Sequence, residues 1–214
     1  AARMIPGTRA PGVFTTASLQ QFVHVHHQSV GKKAVVVGAE LVSFSALLTL
    51  GMSGTAVARM VTDLPQHQLY WPYSPAKLAL ADIWMRTPIE TSARVTRILG
   101  NGRVEAVESV QVDNKWNSVP GTEVTIPCDT MLLSVGLIPE NELSRKAGVQ
   151  IDPLTGGPFV DDHFETNVPG IFAAGNVVHV YDLVDWVSEA GKEAGKSAAK
   201  FAIQIRRQEN RLVP

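Results

Sequence analysis

Cysteine is almost absent from this 214-residue sequence, in which Cys128 is the single example. A lone cysteine excludes an internal disulfide, a CxxC redox pair and a cysteine-rich metal site within these residues. Redox chemistry in this chain therefore requires a cofactor. Cys128 precedes an apolar strand pattern, which favours a small core residue over a nucleophile at this position.

A strong charge of either sign is also lacking, since 19 Lys and Arg oppose 20 Asp and Glu and give a formal net charge of −1. No basic run exceeds two residues, which argues against nucleic-acid binding and against an anionic membrane surface. No apolar run approaches the roughly 20 residues of a spanning helix, and no export signal is visible. We expect a cytoplasmic protein with small-molecule and protein partners. The start at Ala1 without methionine is typical of an excised fragment, although processing gives the same start.

The first half of the chain has the pattern of a β-α-β unit. The proline and glycine content of residues 1–22 predicts an extended connector. The hydrophobic pattern then predicts a helix over 18–28, a buried strand over 33–37, an apolar helix over 40–50 and a strand over 55–61.

The second half predicts mainly strands, followed by a long helix. Prolines between residues 64 and 84 predict a loop and then a helix from Pro75. Asn101-Gly102 predicts a hairpin within a three-stranded antiparallel meander. The meander strands are predicted over 89–99, 104–112 and 123–128. Further strands are predicted over 131–135 and 170–175. A short helix is predicted after Pro139, a turn at Gly156-Gly157 and a final helix over 185–207.

Three segments in this order resemble the pyridine nucleotide-disulfide oxidoreductase superfamily across essentially the whole chain. They are Lys33 to Ser43, Asp129 to Asn141 with its Gly-x-x-Pro, and Glu165 to Val177. The resemblance implies an α/β fold: a Rossmann-like parallel sheet with the antiparallel meander, followed by a carboxyl-terminal FAD-domain segment. It implies a linker from the FAD domain over 1–22, an NAD(P)-binding-like domain over 23–140 and the last part of a divided FAD domain over 141–214.

The resemblance places an FAD site at the end of the segment Glu165 to Val177. The family has Gly-Asp where this sequence has Gly175-Asn176, followed by Val177, and an amide still donates and accepts hydrogen bonds to the ribityl chain. Such Gly-Asn variants resemble a branch related to amine-oxidising and cyanide-forming flavoenzyme subunits. Backbone amides near Val184 and Asp185 would point at the flavin ring. The family's first Gly-x-Gly-x-x-Gly belongs upstream of Ala1, so these residues alone are expected to hold FAD weakly or not at all.

The NAD-like fingerprint is degraded. The fingerprint needs three glycines, and only the first is kept in the six positions Gly38-Ala39-Glu40-Leu41-Val42-Ser43. Gly136 ends a later strand of the same domain. A Glu40 carboxylate about 4 Å from a phosphate charge costs on the order of 1 to 4 kcal/mol. Val61 aligns with the ribose-binding acid, and Asp63 follows two residues later. Two interpretations stay open: the domain binds no dinucleotide, or NAD(P) binds in a shifted pose.

The remaining sequence patterns have simpler structural interpretations. Residues 190–197 match a permissive phosphate-loop pattern inside a helix, where small residues also serve packing. Histidines 24, 26 and 27 lack further metal ligands, so no metal site is expected. The aromatic residues 70, 71 and 73 could cover the hydrophobic core, form an oligomer contact or serve as a substrate lid. His179, Asp182 and Asp185 fall by resemblance near the flavin, where they would assist proton transfer or cap the last helix.

Together these observations predict part of an FAD-dependent oxidoreductase that transfers a hydride between flavin and a small substrate or NAD(P)H. The isolated chain is expected to be inactive, and a homo-oligomer or a partner subunit is expected. The alternative is a nucleotide-free Rossmann scaffold or interaction module with no catalysis of its own.

Overall fold

The computed structural model describes residues 5–7, 9–69, 75, 79, 81, 86–134, 136–181 and 183–212, with side chains up to residue 206. The chain divides into two compact units, residues 1–136 and residues 137–214. The predicted helix from Pro75 and the aromatic residues 70, 71 and 73 lie mostly or wholly outside the described residues. In the described part, no helix is both long and apolar enough to cross a membrane.

Strands are confined to the first unit in the part of the chain that the structure describes. They are β1 (Val13–Thr15), β2 (Lys33–Val37), β3 (Ala56–Val61), β4 (Ile89–Glu90), β5 (Ala93–Leu99), β6 (Ala106–Gln111), β7 (Val124–Pro127) and β8 (Thr130–Leu133). Five of them form a parallel sheet in the order β1-β8-β2-β3-β4, and three form an antiparallel sheet in the order β5-β6-β7. The predicted α/β class with a three-stranded meander is confirmed.

The helices are α1 (Thr16–Gln20), α2 (Leu41–Met52), α3 (Glu142–Lys146) and α4 (Val184–Leu212). A π-helical turn (Gln21–Val25) continues α1, and a 3₁₀ turn (Gly175–Val177) lies in the second unit.

The centre of the parallel sheet is apolar on both faces, as expected for strands covered on both sides. Ala34 and Val36 of β2 face the cluster that contains Phe44, Leu47 and Leu50 of α2. Val35 and Val37 face the opposite cluster, which the antiparallel sheet covers. The predicted strand over 33–37 is confirmed to the residue because no polar position interrupts its apolar run.

Residues 13–20, which composition assigns to a connector, form β1 and α1. β1 pairs in parallel with β8, and Leu19 of α1 is fully buried in the core. Thr15 and Ser18 form a capping box that starts the helix. The strand pairs with β8, 118 residues later in the sequence, so no local pattern reveals it. The proline and glycine content of the segment therefore predicts a connector instead.

The strand predicted over 89–99 is wrong as a single element. Ile89–Glu90 pairs in parallel with β3, whereas β5 pairs antiparallel with β6. Ser92 has a φ of 49°, which breaks the extended backbone between the two pieces. The predicted hairpin between β5 and β6 forms, but residues 100–105 separate its strands, so it is not a two-residue turn.

The second unit has few regular elements before α4. α3 and the turn at Gly156-Gly157 occur where they are predicted, the turn closed by hydrogen bonds between Asp152 and both glycines. The strand predicted over 170–175 is wrong: in the described residues, Phe172 forms an isolated bridge with Glu165. An apolar segment forms a strand only when a neighbouring strand pairs with its backbone amides and carbonyls. Among the described residues, this segment has one such bridge, at Phe172, so it is not a strand.

α4 is a 29-residue helix that begins one residue earlier than predicted and extends to Leu212. Ala190 and Ala194 are buried on its inner stripe, one turn apart. The Phe201 ring meets the Phe172 ring at 5.8 Å between centroids in an edge-on arrangement. The contact between Phe172 and Phe201 therefore joins the helix to the segment that precedes it in the second unit.

Candidate functional site

A cavity of about 510 Å³ opens in the first unit at the carboxyl ends of β2 and β3 and beside Ser134, which follows β8. Parallel strands place their carboxyl ends at one edge of a sheet, which is where open α/β sheets bind ligands. Polar side chains along its wall include Thr62, Asp63, Gln68, Arg94 and Ser118. The strand order therefore brings to one edge residues that are distant in sequence.

Gly38 makes the tight turn between β2 and α2. Its φ is +125°, and its amide donates to the carbonyl of Val61 at 2.9 Å. A Cβ at this position would collide with the Ser134 carbonyl oxygen and lie 2.7 Å from Ser43 Oγ. Position 38 therefore requires glycine, as the first fingerprint position does. The Ser43 hydroxyl is buried and has no hydrogen-bond partner among the described residues.

Glu40 occupies the amino terminus of α2. Its backbone is extended as the helix N-cap, and its Oε1 accepts a hydrogen bond from Ser134 Oγ at 2.7 Å. A carboxylate is stabilised here by the helix dipole. A dinucleotide pyrophosphate would bind at this same terminus. The residues present therefore do not fit a pyrophosphate, because a fixed carboxylate takes its position.

Asp63 lies two residues beyond the end of β3 and lines the cavity. Its Oδ2 is 3.4 Å from Nη2 of Arg94, which β5 of the other sheet supplies. The Asp63 side chain is 12% exposed and the Arg94 side chain 38%. Val61, the last residue of β3, has a fully buried side chain, so Asp63 rather than Val61 presents polar atoms at this edge.

The predicted NAD-like residues divide into two groups. Gly38, Glu40 and Gly136 line the cavity, whereas Ala39 is buried under the turn and Leu41 is the first residue of α2. Sequence reasoning missed the contact between Glu40 and Ser134, although Ser134 follows the buried strand β8 as Gly38 follows β2. It also missed Arg94, for which no local pattern indicates proximity to Asp63.

In the second unit, the predicted FAD residues Gly175, Asn176 and Val177 form the 3₁₀ turn. Gly175 has a φ of +75°, and a Cβ on it would lie 3.3 Å from Val187 Cγ1 of α4. Asn176 Oδ1 accepts a hydrogen bond from the Tyr181 amide at 3.1 Å. The residue is exposed, and its Nδ2 has no hydrogen-bond partner in the described structure. The turn thus packs against the first turns of α4 and presents an amide donor.

Asn141 fixes this turn to α3. Its buried Nδ2 donates to the carbonyls of Gly156 and Val177 at 2.8 and 2.9 Å, and its Oδ1 accepts from Ser144 Oγ at 2.8 Å. All polar atoms of the side chain are satisfied within the unit, so Asn141 positions the backbone on which Asn176 stands.

Val184 and Asp185, the other predicted FAD residues, form the first turn of α4, and Val184 is 74% exposed. His179 is exposed, and its ring lies 5.0 Å from the Tyr181 ring. Asp182 lies outside the described residues. The turn at 175–177 and the start of α4 therefore lie together in the second unit.

The remaining candidate sites have structural explanations. Residues 190–197 lie inside α4, not between a strand and a helix. His24, His26 and His27 are exposed, and the described residues contain no group of three potential metal ligands. Cys128 is buried, and burial, followed by the charge of Asp129, raises the pKa of its thiol to about 11. It is therefore a thiol at neutral pH and a poor nucleophile.

Comparison with known proteins identifies the family. The family model for pyridine nucleotide-disulphide oxidoreductases matches residues 1–194. The chain is 30% identical over 157 residues to dihydrolipoyl dehydrogenase of Manduca sexta, covering 71% of this chain and 30% of the relative. It is 27% identical over 209 residues to bacilliredoxin reductase of Bacillus subtilis (strain 168), covering 96% of this chain and 58% of the relative.

Solved structures share the fold at lower identity. Thioredoxin reductase of T. acidophilum matches with a TM-score of 0.74 and 21% identity over 96% of this chain and 63% of that protein. Thioredoxin reductase of Lactococcus lactis matches with a TM-score of 0.75 and 21% identity, over 95% of this chain and 64% of that protein. The chain thus spans 30% and 58% of the lengths of the two curated relatives described above. Since the family model covers nearly the whole chain, this protein belongs to the pyridine nucleotide-disulphide oxidoreductase family.

Proposed function

We propose that this chain supplies the NAD-like domain and the carboxyl-terminal FAD segment of a flavin-dependent oxidoreductase. Residues 1–22 lead in from the FAD domain and add β1 and α1 to the first unit, residues 23–140 form the NAD-like domain and residues 141–214 the FAD segment. The whole protein transfers a hydride between flavin and a small substrate or NAD(P)H, and works as a homo-oligomer or with a partner subunit. Family membership supports the flavin chemistry, and the second unit supports the assignment of the FAD segment.

The observation that carries this proposal is the packing of the Gly175 turn against α4. Gly175 and Val187 approach so closely that the turn and the helix start form one surface. Asn176 and Val177 would hold the ribityl chain, and the free amides at Val184 and Asp185 would face the flavin ring. FAD supplies the electron-accepting ring. A helix amino terminus stabilises negative charge on a group placed before it.

Replacing Gly175 with alanine in the natural protein that contains this chain tests the proposal. The φ of +75° and the nearby Val187 side chain leave little room for a Cβ, so alanine is expected to displace the turn. Bound flavin is then expected to fall at least about tenfold, which corresponds to about 1.4 kcal/mol of binding free energy. The measurement is flavin released per protein after gel filtration.

Gly191→Ala is the matched control, because Gly191 lies within α4 and a Cβ there meets no atom within 4 Å. This control keeps its flavin. Undiminished flavin in a folded Gly175→Ala protein contradicts the assignment of the turn, and absence of flavin from the unmodified protein contradicts the function.

A second candidate function concerns the first unit alone, as a Rossmann domain that binds no dinucleotide and serves assembly. The contact between Glu40 and Ser134 favours it, because this carboxylate holds the pyrophosphate position. On this proposal hydride comes to flavin from a small substrate rather than from NAD(P)H. Titration with NADH separates the candidates: micromolar binding eliminates the second, and absence of binding at millimolar NADH supports it.

A further inference from the structure

In the second unit, the turn over residues 152–157 packs against the residue that follows the 175–177 turn. Gly157 is buried, and a Cβ on it would collide with the carbonyl oxygen of Val178 and lie 3.0 Å from the Val178 Cα. Gly157 does not have a positive φ, so close approach rather than backbone strain requires glycine here. The two backbones are therefore in direct contact, and a shift of one displaces the other.

Val178 belongs to the same hydrogen-bonded turn as Gly175. The Val178 amide donates to the carbonyl of Gly175 at 2.9 Å, and the His179 amide donates to the same carbonyl at 3.1 Å. A displacement of Val178 therefore acts on the hydrogen bonds that close the 175–177 turn.

Asn141 makes a second link between the two turns. Its side chain is 1% exposed, and its Nδ2 donates to the carbonyl of Gly156 at 2.8 Å and to that of Val177 at 2.9 Å. One amide nitrogen thus joins a carbonyl of each turn. Loss of this nitrogen leaves two acceptors facing each other without a donor between them.

The 152–157 turn is closed by its own hydrogen bonds. The Asp152 amide donates to the carbonyl of Gly157, and the Asp152 carbonyl accepts from the amide of Gly156, both at 2.8 Å. The Asp152 carboxylate also accepts from the Leu154 amide at 2.9 Å. This turn therefore keeps its shape independently of the turn that it contacts.

We propose that Gly157 and Asn141 are positioning residues for flavin, which hold the 175–177 turn where it meets the ribityl chain. Each acts through the backbone of that turn and does not touch the flavin itself. The inference rests on the proposed function, in which the 175–177 turn is part of the FAD site. It adds that the 152–157 turn sets how tightly and in what geometry flavin is held.

Gly157→Ala in the natural protein that contains this chain tests the contact with Val178. Bound flavin per protein after gel filtration is expected to fall at least about tenfold. The visible circular dichroism of the flavin that stays bound is also expected to change, because it reports the surroundings of the ring. Gly148→Ala is the control: at a φ of +77° it strains the same unit, but its Cβ meets no atom within 4 Å, so the dichroism per bound flavin stays unchanged.

Asn141→Asp tests the second link with a side chain of nearly the same size. It removes both donated hydrogen bonds and turns an acceptor toward the two carbonyls, so the same loss of flavin and the same change in dichroism are expected. Ser144→Ala is the control, because it removes the hydroxyl that donates to Asn141 Oδ1 and leaves both Nδ2 hydrogen bonds in place. This control is expected to keep its flavin.

The outcomes separate this inference from the function on which it rests. If Gly175→Ala releases flavin while folded Gly157→Ala and Asn141→Asp proteins keep it with unchanged dichroism, the proposed function stands and the positioning roles are wrong. Loss of flavin in both variants and in Gly148→Ala alike, with unchanged dichroism of the bound fraction, would show a general loss of stability and overturn the proposal. Absence of flavin from the unmodified protein removes the proposed function and this inference with it. The two variants alter different contacts, so either one decides the question if the other does not fold.

Discussion

Glu40 places one carboxylate where a bound dinucleotide would place its phosphates. Replacing it with glycine restores the second fingerprint glycine and removes the charge. Each charge pair at about 4 Å costs on the order of 1 to 4 kcal/mol, and 1.4 kcal/mol corresponds to a factor of ten. The affinity of the Glu40→Gly chain for NADH is therefore expected to rise at least about tenfold, measured by the change in nicotinamide fluorescence.

Two variants separate charge from shape in this experiment. Glu40→Gln removes the charge but keeps the bulk, so it is expected to gain less than glycine. Ser134→Ala removes the hydroxyl that holds Glu40 but leaves the carboxylate, so no gain is expected. If glycine brings no NADH binding in a folded chain, a feature other than Glu40 excludes the dinucleotide.

Asp129 ties two strands of the parallel sheet together at their amino ends. Its carboxylate accepts hydrogen bonds from the backbone amides of Lys32 and Lys33 at 2.9 to 3.0 Å, immediately before β8. Burial alone would raise the pKa of this carboxyl. The hydrogen bonds from Lys33, Lys32 and Thr130 and the charge of Arg103 outweigh burial, so the pKa lies below its usual value. The ionised form therefore stabilises the sheet.

Replacing Asp129 with alanine is expected to lower the free energy of unfolding by about 1 to 3 kcal/mol at pH 7, because two amides lose a charged acceptor. A depressed folded pKa gives stability that is present above the unfolded pKa, about 3.9, and is lost as pH falls through the folded value. The difference between the two chains is therefore expected to shrink on acidification below about pH 4, measured by urea unfolding.

Glu123→Ala serves as the control, since Glu123 is exposed and has no hydrogen bond or ion pair to the described residues. Its effect is expected to be small at both pH values. A loss of unfolding free energy in Asp129→Ala that stays constant with pH would show that the Asp129 side chain acts through packing rather than through its charge.

Elements with an uninterrupted pattern were predictable, and those defined by a change of partner were not. β2 and α2 follow from apolar runs bounded by Gly38 and Gly54. Residues 89–99 also form a continuous strand pattern, yet the structure divides them between two sheets at Ser92. Both pieces suit extended backbone, so composition does not reveal where one pairing ends and the other begins.

The whole chain spans 58% of the length of its bacilliredoxin reductase relative and 63% of the T. acidophilum thioredoxin reductase. On the proposed function, residues outside this chain complete the flavin site, so we expect the 214-residue chain alone to bind FAD weakly or not at all. Equilibrium dialysis against FAD measures this affinity. Stoichiometric flavin retained by the 214-residue chain after desalting would contradict it.

The sequence by itself determined the family, the α/β class and the positions of the glycine turns, because these depend on local pattern and on residues adjacent in sequence. Gly38 and Gly175 are recognisable without a structure because each ends an apolar run, and in the structure both adopt positive φ. The tertiary structure alone brought Ser134 to Glu40 and Arg94 to Asp63, across 94 and 31 residues respectively. Such contacts depend on strand order and on the packing of two sheets, which no local spacing records.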